Sequence, residues 1–99
     1  MAHITVELRT SLEGGVSESL DPPAMDVGRS LPDFDDRRYP LLRLIDPYGD
    51  TIFSSYQMVE LIPELRKRHL ETDDEVLREV IRLAEACQGK RSFLVFMGD

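Results

Sequence analysis

The fold class is decided by the stretch 72–97, which reads TDDEVLREVIRLAEACQGKRSFLVFM. Its first part carries apolar residues at three- and four-residue spacing, namely Val76, Val80, Leu83 and Cys87. This period predicts an amphipathic helix. Thr72 and Glu75 have the spacing of a capping box, which predicts where that helix begins. After Ser92 the stretch is wholly apolar, which predicts a strand in the interior of a sheet over 92–97.

Residues 54–69, just upstream, show a second helical pattern. Ser54 and Gln57 predict a capping box, and an apolar stripe follows at helical spacing. Pro63 interrupts the pattern, because proline has no backbone N–H and removes one hydrogen bond from a helix interior. We therefore expect a bend near 59–63 or two short helical pieces.

Three further segments predict strands. Residues 3–9 alternate apolar and polar side chains, as a half-buried strand does. Residues 39–45 and 51–53 flank the turn sequence DPYGD, in which proline and glycine favour a tight reversal, and so predict a β-hairpin. Residues 11–38 are rich in glycine, proline, serine and acidic residues, which predicts one long acidic loop.

These elements predict a single α+β domain over residues 1–99. The expected order is β-β-β-α-α-β, with a mixed four-stranded sheet and two helices packed on one face. In that order the second and last strands run parallel, so their C-terminal ends meet at one edge of the sheet. Asp46 and Asp99 follow those ends and Asp50 lies across the turn, which predicts an acidic edge there.

The charge distribution points to partners. The net charge is −7, and residues 1–36 hold eight acidic side chains against two arginines. An acidic chain repels nucleic-acid phosphates and attracts basic protein surfaces. The longest apolar run, 93–97, is too short to span a membrane, and the N-terminal residues lack a secretory signal pattern, so we expect a cytoplasmic protein with no membrane partner. Arginine outnumbers lysine ten to two, and Asn and Trp are absent, a composition that indicates a GC-rich bacterial genome.

Residues capable of catalysis are few. The chain has one cysteine, Cys87, on the apolar stripe of the second helix, and two histidines, His3 and His69, with no partner at metal-ligand spacing. The serines lie in no nucleophile motif. We therefore expect no enzymatic activity, no cofactor and no metal site formed by these residues.

The leading functional hypothesis is a non-catalytic protein-binding module, an acidic inhibitor or immunity-like protein that engages a basic protein partner. The predicted contact residues join the loop acids to the turn: Asp33, Asp35, Asp36, Asp46, Tyr48, Asp50 and Asp99. The alternative is a domain that binds a small ligand or a divalent metal, because carboxylate oxygens are the ligands that Ca²⁺ and Mg²⁺ take. A homodimer is a further hypothesis, with Leu42 and Leu44 as its contacts on the open face of the sheet.

One segment carries a resemblance. Residues 42–53 read LRLIDPYGDTIF, and the chain closes with FMGD at 96–99. This resembles a group of small uncharacterised bacterial proteins that share a D-P-Y-G-D-T-x-F hairpin and a closing G-D. The resemblance covers about the last 60 residues and implies no activity, because that group has no established function.

Overall fold

The computed structural model describes residues 3–11 and 13–99 and has the predicted α+β order, β-β-β-α-α-β. The strands are β1 (Ile4–Ser11), β2 (Gly14–Leu20), β3 (Asp50–Ser54) and β4 (Phe93–Gly98). The helices are α1 (Met58–Thr72) and α2 (Glu75–Gln88). Short 3₁₀ turns stand at Gly28–Ser30, Leu42–Leu44 and Ser55–Gln57.

The four strands form one sheet in the order β2-β1-β4-β3, and every neighbouring pair is antiparallel. The prediction of a mixed sheet is therefore wrong. The error comes from the identity of the second strand, since β2 forms a hairpin with β1, whereas 39–45 contributes no strand. Two strands joined by a hairpin, such as β1 and β2, are necessarily antiparallel. The two helices between β3 and β4 return the chain so that these strands are antiparallel as well.

The predicted loop 11–38 is wrong at its start, because Gly14–Leu20 is the edge strand β2. Its side chains are mostly exposed, so the segment lacks the apolar alternation by which strands are recognised. Backbone pairing with β1 stabilises it instead, with Val6 opposite Leu20 and a register shift between Leu8 and Arg9. Residue 12, which the predicted loop also included, lies outside the described residues.

The prediction of a strand over 39–45 is also wrong. The segment contains the 3₁₀ turn Leu42–Leu44, whose first backbone amides are held by the carboxylate of Glu64 on α1. The carboxylate accepts the hydrogen bonds that, in a strand, these amides would donate to a neighbouring strand. Leu42 is 1% exposed and Leu44 is 54% exposed. Leu42 is therefore a core residue. The prediction that Leu42 contacts a second copy is wrong, whereas Leu44 is exposed.

Both helices cover the sheet face that carries Ile4, Val6 and Leu8. A single apolar core lies between the helices and this face of the sheet. Phe53 and Phe96 meet edge to face in that core, with ring centroids 5.8 Å apart. The predicted helix stripe is confirmed, since its members are buried: Val76, Val80, Leu83 and Cys87.

The ends of the helices differ in part from prediction. The capping box of Ser54 and Gln57 is confirmed, and Gln57 Oε1 accepts the Ser54 amide at 2.8 Å. The helix α1 then continues through Pro63 to Thr72 as one element, so the expected break is wrong. Asp74, not Thr72, caps α2, because its carboxylate accepts the Val76 amide at 3.1 Å. Neither helix within 3–11 and 13–99 has the length and apolar run that crossing a bilayer requires.

Candidate functional site

One end of the sheet gathers the start of β1, the start of β3 and the end of β4. Asp50 lies opposite Met97, and Gly98 donates its backbone N–H to the Gly49 carbonyl at 2.8 Å. Asp99 donates to the His3 carbonyl at 3.3 Å. The expected neighbourhood of the 46–50 turn and the C-terminal residues is thus present. It arises because antiparallel β3 begins where β4 ends, and not from parallel strands.

Gly98 explains why the turn and the closing residues lie against each other. A Cβ atom at this position would overlap the Pro47 carbonyl and lie 2.8 Å from the Asp46 carbonyl oxygen. Only glycine permits this approach of two backbone segments. The D-P-Y-G-D turn and the G-D of residues 98–99 therefore form one structural unit.

Within the turn, the carboxylate of Asp46 is used locally. Asp46 Oδ1 accepts the Tyr48 amide at 2.8 Å, and the Asp46 amide donates to Thr51 Oγ1 at 2.9 Å. This is the self-contained hydrogen bonding that Asp commonly supplies at turns. The Tyr48 side chain, in contrast, is 77% exposed. Asp46 therefore shapes the turn, while Tyr48 and Asp50 are left facing solvent.

The loop 31–36 reaches the same end of the molecule. Asp33 and Phe34 line a cavity of about 410 Å³ together with Arg43 and Pro47. Arg43 Nη1 donates to the Phe34 carbonyl at 3.0 Å, which holds the loop in place. The Phe34 side chain is 78% exposed, and Asp35 beside it is also exposed. An aromatic ring flanked by two carboxylates therefore projects from this loop.

Asp36 faces a different part of the protein from its predicted companions. It binds Arg38, with Nη2 and Oδ2 2.8 Å apart, and Arg38 in turn binds Glu71 of α1 at 2.7 Å. The hydrogen bond from Arg38 lowers the pKa of Asp36 below its usual value. Because its charge is already paired, Asp36 contributes little to a surface for a basic partner.

Sequence reasoning missed the contact between His3 and Asp26. His3 Nδ1 lies 2.6 Å from Asp26 Oδ2, and the other Asp26 oxygen accepts the amides of Ile4 and Gly28. Burial acts to raise the pKa of Asp26, but the hydrogen bonds from Gly28, His3 and Ile4 outweigh it and lower that pKa overall. The contact ties the loop to β1 at the rim, and a separation of 23 residues leaves no local signal for it.

We use the name acidic rim for the exposed residues at this end of the protein, namely Asp33, Phe34, Asp35, Tyr48, Asp50 and Asp99. Two exposed aromatic rings among carboxylates can bury apolar area while the acids pair with cations. The metal alternative finds no support, since no group of three or more His, Cys, Asp or Glu within the described ranges is arranged to hold a metal ion.

Cys87 has none of the features of a reactive thiol. It lies on the buried face of α2, and burial raises the pKa of its thiol to about 11. At neutral pH such a thiol stays protonated, and the thiolate is the nucleophilic form. The predicted assignment of Cys87 as a small core residue is confirmed by its burial.

Comparison with known proteins finds no relative from which a function could be transferred. No protein-family model, no curated protein sequence and no solved structure matches this chain.

Proposed function

We propose that the protein is a non-catalytic binding module of the bacterial cytoplasm that engages a basic protein partner through the acidic rim. The observation that carries the proposal is the exposure of Phe34 and Tyr48 at one end of the molecule, each beside carboxylates. Large aromatic side chains are the residues most often found at the energetic centre of protein interfaces. Carboxylates around them steer a cationic partner and set its orientation.

The carboxylates of the acidic rim are available to attract a cationic partner. Asp33, Asp35 and Asp50 are exposed, and none of the ion pairs among the described residues involves their carboxylates. Ion pairs elsewhere on the surface, such as Arg82 with Glu18 at 2.7 Å, neutralise other acids. The net charge of −7 is therefore most available to a partner at the rim.

The proposal is tested by affinity capture from lysate at low salt, followed by titration of the captured partner against purified variants. We expect Phe34→Ala to weaken binding about thirtyfold, since loss of an interface anchor costs about 2 kcal/mol. Leu70→Ala removes an equally exposed apolar side chain from α1, outside the acidic rim, and as the control it leaves the affinity unchanged. Added salt weakens binding of the wild-type protein.

A charge variant separates the two components of the surface. Asp33→Asn with Asp35→Asn is expected to slow association and to reduce its salt dependence, because rim charges act chiefly on the rate of encounter. Glu13→Gln with Glu60→Gln removes the same charge from other exposed sites and serves as control. If capture yields no basic partner, or if the rim variants bind it as tightly as the controls, the proposal is wrong.

A further inference from the structure

A groove lies at the end of the sheet opposite the acidic rim. Its larger cavity, about 480 Å³, is formed by the start of α1, the end of α2 and the segment before β4: Ser55, Tyr56, Val59, Gln88, Lys90 and Arg91. A neighbouring cavity of about 280 Å³ shares Ser55, Tyr56 and Arg91 and extends to Phe93. We name the two together the basic groove.

The charge of the basic groove is opposite to that of the protein as a whole. No acidic side chain lines either cavity in the part of the chain that the structure describes. Lys90 and Arg91 take part in none of the ion pairs there, although Arg66 nearby is neutralised by Glu85 at 2.8 Å. Two cations without an ion pair, side by side in a groove with no acidic lining, attract an acidic group even in a protein of net charge −7.

The groove also offers apolar surface. Tyr56 is 83% exposed and Val59 is 65% exposed, and both line the larger cavity beside Lys90. An aromatic face next to ammonium and guanidinium groups suits a ligand that combines an apolar ring with carboxylates. The composition of the basic groove is therefore complementary to an acidic segment that contains an aromatic residue.

The acidic rim of the same protein has this composition. Phe34 projects from the loop with Asp33 and Asp35 on either side. The rim and the groove stand at the two ends of β4, whose six residues span about 17 Å, so one copy cannot bring its own loop into its own groove. We propose that the basic groove of one copy receives the loop 33–35 of a second copy, head to tail.

The geometry of this contact has a direct consequence for assembly. The two contacting surfaces are different, so each bound pair keeps one free rim and one free groove, and further copies add in a line unless a ring closes. One loop in one groove buries less than about 1,200 Å², which corresponds to weak and reversible association. The contact also covers the rim, so a basic partner and a second copy compete for it.

Sedimentation velocity and light scattering over a concentration series up to about 1 mM, at low salt, test the contact because weak interfaces require such concentrations. We expect the mean mass to rise above the monomer value of 11.3 kDa and to return to it at high salt. Lys90→Gln with Arg91→Gln leaves only a functional rim, and Asp33→Asn with Asp35→Asn leaves only a functional groove. Each variant alone stays a monomer, whereas an equimolar mixture forms a one-to-one dimer that grows no further.

Matched variants exclude a general effect of charge. Arg29→Gln with Arg78→Gln removes two other exposed cations, and this variant associates as the wild-type protein does. A wild-type chain that is monomeric throughout the series overturns the proposal, and so does a mixture of the two half-variants that forms no dimer. The inference does not rest on the proposed partner, because the groove variant abolishes self-association and keeps the capture of a basic protein.

Discussion

The carboxylate of Glu64 on α1 accepts hydrogen bonds from the backbone amides of the 3₁₀ turn, from Leu42 at 3.0 Å and from Leu41 at 3.0 and 3.2 Å. Glu64 is a buried charged residue, and these amides are its partners. A buried acid is tolerated when its oxygens are hydrogen-bonded in this way. The contact joins the segment that leads to the 46–50 turn to the body of the protein, so the shape of the acidic rim depends on it.

Replacing Glu64 with glutamine is therefore expected to destabilise the fold. The amide nitrogen of Gln cannot accept a hydrogen bond, and one accepted bond to a charged group contributes about 1.5–3 kcal/mol. Urea denaturation measures the change in the free energy of unfolding. Glu60→Gln, exposed and one turn earlier on α1, is the control and should change it little. Equal stability of the two variants would show that the Glu64 contact contributes nothing to the fold.

A second prediction concerns acid stability and Asp74. Hydrogen bonds from Ser30 and from the Val76 amide lower the pKa of Asp74 below its usual 3.8 despite partial burial. The ionised form therefore stabilises the fold above about pH 3.8, and this contribution disappears as the pH falls through the lower pKa of the folded state. Unfolding measured from pH 6 to pH 2 should show the difference between wild type and Asp74→Asn shrinking as the pH falls.

At neutral pH, Asp74→Ala removes the cap of α2 and is expected to cost about 1–2 kcal/mol. Asp73→Asn provides the control. Asp73 is exposed, and its backbone has the left-handed conformation, which asparagine also adopts. A difference between wild type and Asp74→Asn that stays constant across the acid range would contradict the pKa argument.

A third prediction concerns alkaline stability and Cys87. Burial raises the thiol pKa from 9.0 to about 11, so the unfolded chain loses this proton at lower pH than the folded protein. The stabilising contribution is complete below pH 9 and is lost as the pH rises towards 11, by about 2–3 kcal/mol in total. Urea denaturation from pH 8 to pH 11 should show wild type losing this amount relative to Cys87→Ala. Parallel pH curves for the two proteins would be evidence against a buried, protonated thiol.

A fourth prediction tests the close approach at Gly98. Alanine there places a methyl group onto the Pro47 carbonyl, and overpacking of this kind costs about 1–3 kcal/mol. Gly89→Ala is the control, because its Cβ would meet nothing nearer than 3.9 Å and its φ of −78° is ordinary. Thermal denaturation should place Gly98→Ala well below wild type and Gly89→Ala at or above it. A stable Gly98→Ala protein would mean that the turn moves freely relative to β4.

Some parts of the candidate site follow from sequence and others do not. The turn 46–50 was predictable because proline and glycine specify it locally. Its proximity to the end of β4 was predicted from a parallel pair of strands, and that reason is wrong, because antiparallel β3 begins where β4 ends. The contact of His3 with Asp26 and the orientation of Phe34 were not predictable, since both depend on how a loop with little periodicity crosses the surface.

The amino-acid sequence by itself determined α2, β1, β3 and β4, the burial of Cys87 and the capping box at Ser54, because hydrophobic period and capping chemistry act within a few residues. It also predicted a helix at α1, but not that this helix runs through Pro63 as one element. Only the tertiary structure decided that Gly14–Leu20 is a strand and that Leu42–Leu44 is a helical turn. Their backbone groups are satisfied by distant residues, β1 in one case and Glu64 in the other. The separation of acidic rim and basic groove to opposite ends likewise comes from the path of β4 between them.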